Sequence, residues 1–430
     1  MEKVANFINH EYYREALARL CRIAQRSAQD ERLVLDDWEP WHLSNFHSNE
    51  EKAHNIKQAM ERFSNDVLTI SSDEIEKDPL LWFQALDEHC NRIFGTDSIL
   101  PSDKIDDGDG ESRVFPIYPG SGGGKRREQY GNIAFWLRHH RVIPLNNLQD
   151  ISIPLSVAVA EIPQGYKDWA NRHLIGETVK IAIIHFADGS YPIINYNTPQ
   201  LFVCNDLSDE AIRLEKALEC ISAAKSEGAH ILVMPELTIT PAIRLKITNK
   251  LDLLNEKEGE NHALSVPVIV LGSFHEQVEM RWRNHAEAIL GLDGTYLFGC
   301  DKRRSVTFNN CREGIECAST PLTCLLTPLG LMAMAICKDM FDGKPAAALS
   351  SLSPDWLLVP SMSEKLSPHR AAAKQLHDTG GTVVAVANQE MPGIEDYDPG
   401  FVHHEKREDC TTDMAFITVA RKDNHLRRIK

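Results

Sequence analysis

Aromatic residues make up only 7% of the 430-residue chain. No uninterrupted apolar run approaches the roughly 18 residues that a membrane span requires. Positive charge is also short: 46 Lys and Arg stand against 62 Asp and Glu, a formal charge of -16. That balance repels phosphate backbones and anionic surfaces, so neither nucleic acid nor membrane is an expected partner. Local basic runs such as Lys302-Arg303-Arg304 still offer an anion contact. The 10 cysteines include no CxxC pair, and Cys311, Cys317 and Cys324 are not spaced like paired zinc knuckles. Reduced thiols, no structural metal and no disulfide framework are the expectation. Residues Met1 to Asn9 lack a basic segment followed by an apolar core, so a cytoplasmic protein is expected.

Several catalytic signatures are missing as well. There is no Gly-x-Ser-x-Gly elbow, and His275-Glu276-Gln-Val-Glu279 lacks the second histidine of a zinc-protease helix. The glycine run before Lys125 fails as a phosphate loop, because Pro119 occupies the first glycine position and Arg126 replaces the Ser/Thr. No cofactor is therefore expected. His403-His404 reads as a solvated pair rather than a ligand set.

What is present divides the chain. Apolar residues recurring every three or four positions predict helices in a bundle over the first 98 or so residues. Asp106 to Gly110 and Gly120 to Arg127 then give Ile99 to Glu128 the composition of a linker. The expected organisation is thus a helical region with linker over 1–128, a connecting segment over 129–176, and a main domain over 177–430. Within 129–176, Ile151 to Ala160 reads as a strand and Gly165 to His173 as a short helix.

From Glu177 the pattern alternates strand and helix. Strands are expected at Thr178 to Phe186, Ile231 to Pro235, Val266 to Phe274, Leu322 to Leu326, Leu331 to Ile336, Trp356 to Val359, Thr382 to Ala387 and Met414 to Val419. Gly291-Leu-Asp-Gly294 between Ala286 to Leu290 and Thr295 to Phe298 predicts a hairpin. Helices are expected at Ser208 to Glu227, capped by Asp206 or Ser208, and at Lys344 to Leu352 and Pro368 to Asp378. Ala187 to Asp206 reads as a long loop, either a lid or a surface insertion. Many strands with few helices predict an α/β fold of two stacked sheets covered by helices, with a single doubly wound sheet as the competing layout.

Three polar residues close apolar strands, where a strand delivers its last side chain into a cleft. They are Glu236 after Ile231-Leu-Val-Met-Pro235, Lys302 after Thr295 to Asp301, and Cys337 after Leu331 to Ile336. Each alone has a bland reading: a strand-end acid, a solvated lysine, a small buried hydrophobe.

Together, Val233-Met-Pro-Glu236, Asp293-Gly-Thr-Tyr-Leu-Phe-Gly-Cys-Asp-Lys302 and Gly330-Leu-Met-Ala-Met-Ala-Ile-Cys337 resemble the nitrilase superfamily at the places where it keeps a Glu-Lys-Cys triad. Val179-Lys-Ile-Ala-Ile-Ile, Asn284 to Gly294, Leu358-Val-Pro-Ser361 and Val384-Ala-Val-Ala-Asn388 are similar to its flanking segments. The resemblance implies a four-layer α-β-β-α sandwich preceded by the helical region. It also implies carbon–nitrogen hydrolysis of a small-molecule amide, carbamoyl or nitrile through a thioester on Cys337, with Glu236 as base. Lys302 and the backbone N–H of Lys338 are implied to hold the oxyanion. A second glutamate is implied between lysine and cysteine, and Glu313 is favoured over Glu316 by its distance to Cys337. Homodimers or larger assemblies are implied, and the N-terminal region is a candidate for binding a protein partner. Acyl or amide transfer, and use of the domain mainly for assembly or signalling, are the alternatives. Lys338 departs from the family's usual aromatic residue after the cysteine, adding a positive charge that would lower the thiolate pKa or select an anionic substrate.

Overall fold

The computed structural model describes residues 178–198, 200–258, 266–316, 322–327, 330–389, 397–404, 408–409 and 414–420, together with 55, 58–59, 81, 105–106, 112–116 and 140–144. The chain divides into two compact units, Met1–Asn147 with Asp423–Lys430, and Leu148–Lys422. This division falls inside the 129–176 segment.

In the first unit, residues 55, 58, 59 and 81 are helical; the rest of the expected bundle lies outside the described residues. Strands β1 (Ile105–Asp106), β2 (Ser112–Pro116) and β3 (His140–Pro144) form an antiparallel sheet in that order. The stretch read as a linker thus contains two paired strands. Val114 and Phe115 are good strand formers, and they pair with Val142 and Arg141, beyond the window in which composition was judged. The glycine run, and the strand and helix expected over 151–173, lie outside the described residues.

The second unit opens with β4 (Thr178–Ile184), β5 (Pro192–Thr198), β6 (Leu201–Leu207), α1 (Glu210–Ser226), β7 (Ile231–Val233) and α2 (Pro241–Glu258). It continues with β8 (Val268–Val278), β9 (Arg281–Leu290), β10 (Tyr296–Asp301), β11 (Thr307–Phe308), β12 (Cys311–Glu313), β13 (Cys324–Thr327) and β14 (Gly330–Met334). A short 3-10 turn, Cys337–Met340, leads into α3 (Gly343–Leu352), β15 (Trp356–Ser361), α4 (Ser367–Gly380), β16 (Val383–Asn388), β17 (Gly400–His403), β18 (Glu408–Asp409) and β19 (Met414–Ala420).

Two six-stranded sheets form, ordered β10-β9-β8-β7-β4-β19 and β13-β14-β15-β16-β17-β18. Each has three parallel strands at its centre and antiparallel strands outside them. They pack face to face because side chains alternate along each strand. Val179, Ile181 and Ile183 of β4 and Ile231 and Val233 of β7 meet Met332, Met334, Trp356 and Leu358 of the other sheet in one buried cluster. The alternate residues, Ala182, Ile184, Leu232 and Met234, face Ala217, Ile221 and Ala224 of α1 and Ile243 and Ile247 of α2. On the second sheet, α4 packs against β16 and β17 and α3 packs against α4. Helices therefore cover both outer faces, and the doubly wound alternative is excluded.

Two expectations are corrected. Helix α1 is capped by Asp209, whose side chain accepts from the N–H groups of Ala211 and Ile212, rather than by Asp206 or Ser208. Residues Ala187 to Asp206 are no open loop: β5 and β6 form a hairpin inside a four-stranded sheet ordered β11-β12-β6-β5. Pro192 and the two asparagines of β5 hid its strand pattern, and its partner β6 is joined in parallel to the distant β12. Helix α2 went unassigned although its start was readable. Thr240 Oγ1 accepts from the Ile243 N–H at 3.2 Å, and Pro241 occupies the first helical position.

Candidate active site

Glu236 leaves the end of β7 by way of Met234-Pro235 and bridges to Ser273 of β8. Its N–H donates to the Ser361 carbonyl at the end of β15, 3.2 Å away, so its backbone is held from both sheets. That approach depends on Gly272. Its φ is +68°, and a Cβ there would lie 2.2 Å from the Pro235 carbonyl oxygen. Because left-handed backbone strain adds to this overlap, Gly272→Ala is expected to lose at least about 2 kcal/mol of stability in a urea titration. It should also lower activity by moving Glu236.

Lys302 follows β10, and its N–H donates to the Asn284 carbonyl of β9 at 2.8 Å. Glu313 closes β12. Cys337 follows β14 at the first position of the 3-10 turn with φ +47°, a left-handed backbone for a residue that is not glycine. A sharp strand-to-turn corner of this kind lifts a side chain out of the sheet, and strain of this kind concentrates at functional sites.

These four side chains, all buried, converge. Lys302 Nζ donates to Glu236 Oε1 at 2.7 Å and lies 3.2 Å from Glu313 Oε1 and 2.9 Å from its Oε2. Asn284 Nδ2 bridges the two carboxylates, donating to Glu236 Oε1 at 2.9 Å and Glu313 Oε1 at 3.1 Å. The Met362 N–H donates to Glu236 Oε2 at 3.0 Å, and the Val306 N–H to Glu313 Oε2 at 3.0 Å. Glu313 also accepts from His275 Nε2 at 2.8 Å. The direction of that bond is fixed by the far side of the ring, where Nδ1 accepts from the Cys204 N–H of β6 at 2.8 Å.

The electrostatics follow from this packing. Burial opposes the charge on Lys302, but Glu236 and Glu313 outweigh it and hold the ammonium well above its ordinary pKa. Burial likewise opposes ionisation of Glu313; Lys302 and His275 prevail and hold it well below the usual carboxylate range. Burial, then the nearby Glu236 carboxylate, push the Cys337 thiol up to about 12, against Lys302 and hydrogen bonds from Ser361 and the Met362 N–H. The resting sulfur is therefore a protonated thiol beside a carboxylate.

Glu316 is elsewhere, half-exposed and paired with Arg281 at 2.8 Å. Lys338 contributes its side chain to the cavity mouth, where its ammonium lies 3.4 Å from Asp342. The charges acting on the thiol are Glu236 and Lys302 rather than Lys338, so the expected lowering by Lys338 is not what the geometry provides. Asp339, two residues after the cysteine, accepts from the Arg303 N–H at 2.8 Å and so ties the lysine segment to the cysteine turn.

A cavity of about 580 Å³ opens over these groups. Part of its lining is polar, with Glu236, Lys302, Glu313 and Cys337; Ile194, Phe202, Phe308, Phe341 and Met362 make much of the rest apolar. The β5–β6 hairpin thus forms a wall of the site. Asn284, His275 and Ser361 went unassigned in the sequence. Their signal is a polar side chain within an otherwise apolar strand, which burial turns into an obligation to find partners. Among the described residues no three His, Cys, Asp or Glu side chains are grouped to hold a metal ion.

No family model and no curated protein matches the sequence. Solved structures do. An amidase from Nesterenkonia sp. aligns at 15% identity over 58% of this chain and 93% of its own, with a TM-score of 0.40. Nit3 of Saccharomyces cerevisiae, a member of branch 10 of the nitrilase superfamily, aligns at 14% identity over 57% of this chain and 90% of its own, with a TM-score of 0.41. The glutamine-dependent NAD+ synthetase of Acinetobacter baumannii aligns at 20% identity over 57% of this chain and 46% of its own, with a TM-score of 0.39.

Proposed function

We propose that this protein hydrolyses a non-peptide carbon–nitrogen bond, in an amide, carbamoyl or nitrile group, through a thioester on Cys337. The observation that carries the reading is Lys302 Nζ held between Glu236 and Glu313 beside a buried thiol at a strained strand end.

In this reaction the thiol attacks the substrate carbon while Glu236 takes its proton. Negative charge then develops on the substrate oxygen or nitrogen. The Lys302 ammonium and the backbone N–H of Lys338 receive it in a dry site, where fixed donors act most strongly. Glu313 anchors Lys302. From an amide or carbamoyl group, protonation by Glu236 releases ammonia or an amine and leaves an acyl group on sulfur; a nitrile first gives a thioimidate, to which a water must add before ammonia leaves. Glu236 next deprotonates a water, which cleaves the thioester and regenerates the thiol. The apolar walls suit a substrate whose acyl part is itself apolar.

Ammonia release should be measured on a series of primary amides of increasing acyl length, with and without hydroxylamine. The expected result is release that depends on Cys337 and grows with apolar acyl length. Hydroxamate formed in preference to the acid would favour acyl transfer over hydrolysis. Undiminished release by Cys337→Ser would overturn the reading.

A further inference from the structure

His275 stands directly opposite Asn284 in the pairing of β8 with β9, and both side chains are buried. Cross-strand neighbours of an antiparallel pair point to the same face, and these two meet on one oxygen. Glu313 Oε1 accepts from His275 Nε2 at 2.8 Å, from Asn284 Nδ2 at 3.1 Å and from Lys302 Nζ at 3.2 Å. The imidazole bond is the shortest of the three, and it comes from a residue that does not line the cavity.

The ring also reaches a second strand. Its Nδ1 accepts from the Cys204 N–H of β6 at 2.8 Å, and the Phe202 ring of β6 lies beside it with centroids 6.4 Å apart. A backbone amide can only donate, so Nδ1 carries no hydrogen and the ring's N–H sits on Nε2, facing the carboxylate. Both partners belong to the four-stranded sheet: β6 pairs in parallel with β12, Phe202 beside Glu313, and the Gly314 N–H donates to the Phe202 carbonyl at 2.7 Å. His275 belongs to the six-stranded sheet whose strands deliver Glu236, Asn284 and Lys302. One side chain thus fastens the sheet that carries Glu313 and the cavity-lining Phe202 and Cys204 to the sheet that delivers Lys302. Burial opposes the charge on Glu313; Lys302, then the bond from His275, outweigh it.

We propose that His275 is a positioning residue for the catalytic lysine: by donating to Glu313 Oε1 while holding the Cys204 N–H, it sets the carboxylate that orients Lys302 and fixes the β5–β6 wall relative to it. The proposal rests on Lys302 receiving the developing charge in the hydrolase reading. Without the donor, Oε1 keeps its two longer bonds, and Glu313 can turn or take up a proton, leaving Lys302 to Glu236. A lysine drawn onto the base is misplaced for the oxyanion and hinders the base's own proton transfer.

Two substitutions separate the ring's two bonds. Glutamine can place an amide nitrogen where the imidazole Nε2 stands, keeping the donor to Glu313, whereas asparagine can place its Oδ1 near the imidazole Nδ1, keeping the acceptor for Cys204. With hexanamide as substrate and ammonia release as readout, His275→Asn is expected to lower kcat by up to about a hundredfold and to leave KM within about twofold. His275→Gln should recover most of kcat and raise KM, because the wall strand loses its anchor. Thermal melts read the same bond without turnover. Both variants lack the imidazole, so its own titration drops out of their comparison. Ionised Glu313 stabilises the fold above the unfolded carboxylate pKa, and that contribution is lost as pH falls through the folded value. His275→Gln should therefore melt about 3 °C or more above His275→Asn at about pH 7, and the gap should narrow as pH falls to about 3.5. Where His275→Asn does not fold, His275→Leu, which fills the space without either bond, takes its place in both comparisons. Equal kcat in the two variants, or a melting gap that does not change with pH, overturns the proposal and leaves His275 a packing role. If the wild type releases no ammonia from any amide, the hydrolase reading falls alone, and the melts still decide whether His275 holds Glu313.

Discussion

Glu236→Gln is expected to lose amide turnover by about two to four orders of magnitude, the usual worth of a general base, while accumulating an acyl group on Cys337. The two effects come from one cause. Glutamine keeps the shape of the side chain and can keep the contact with the Met362 N–H through its carbonyl oxygen, but it cannot take a proton. Attack on an amide then fails, because burial, the larger of the two causes that raise the thiol, remains when the Glu236 charge is removed, and no base is left to take its proton. With an activated acyl donor such as a p-nitrophenyl ester, whose leaving group needs no protonation, the small thiolate fraction still reacts. Hydrolysis of the resulting thioester requires deprotonated water, so the adduct persists. Intact-mass spectrometry should show one added acyl group, absent in a Cys337→Ala, Glu236→Gln double variant and removed by hydroxylamine. Cys337→Ala alone should lose at least about a thousandfold in turnover. An adduct on Cys204, or wild-type turnover by either single variant, would contradict the assignment.

Lys302→Met should be the most destabilising single change in the site. It leaves Glu236 and Glu313, both buried and both bonded to Asn284, without their shared cation. Breaking a buried ion pair from one side typically costs about 3–5 kcal/mol, which for a domain of this size is on the order of 10 °C in Tm. The pH dependence supplies an independent check. In the wild type, Glu313 is held below its ordinary value, so its contribution is present above the unfolded carboxylate pKa and is lost as pH falls through the folded value. Lys302 is held above its own, so its contribution is complete below the unfolded lysine pKa and is lost as pH rises through the folded one. In the variant the two carboxylates repel and favour sharing a proton, so acidification from about pH 8 to 5 should narrow the gap to wild type. Thermal melts at the two pH values measure this; a Tm equal to wild type at both would show that Lys302 is not the site's counter-charge.

Glu236, Lys302 and Cys337 were legible as polar residues closing apolar runs, but each alone had a bland reading, and the resemblance of the motifs around them is what singled them out. The central strands were legible from their apolar content: Val179 to Ile184 is apolar but for Lys180, and Trp356 to Pro360 is an unbroken apolar run. The β5–β6 hairpin was not. Its pairing with β12 joins residues more than a hundred positions apart, and its own prolines and asparagines carry no strand signal. The cap of α1 was misplaced because Asp206, Ser208 and Asp209 all have suitable side chains, and only the backbone decides which one turns toward the free N–H groups.

The strand-end positions of Glu236, Lys302 and Cys337, then, are what hydrophobic patterning by itself determined; their reading as a triad comes from the resemblance of the motifs around them. Tertiary structure alone decided the surroundings that give those residues their properties. It chose Glu313 over Glu316 by carrying one to Lys302 and leaving the other on the surface with Arg281. It set Asn284 between the carboxylates, His275 behind Glu313 and the Ser361 carbonyl on the Glu236 N–H, and it brought a distant hairpin in as a cavity wall. The physical reason is that desolvation and hydrogen bonding depend on which atoms meet in space, and these contacts join strands of separate sheets whose neighbours no local window of sequence contains.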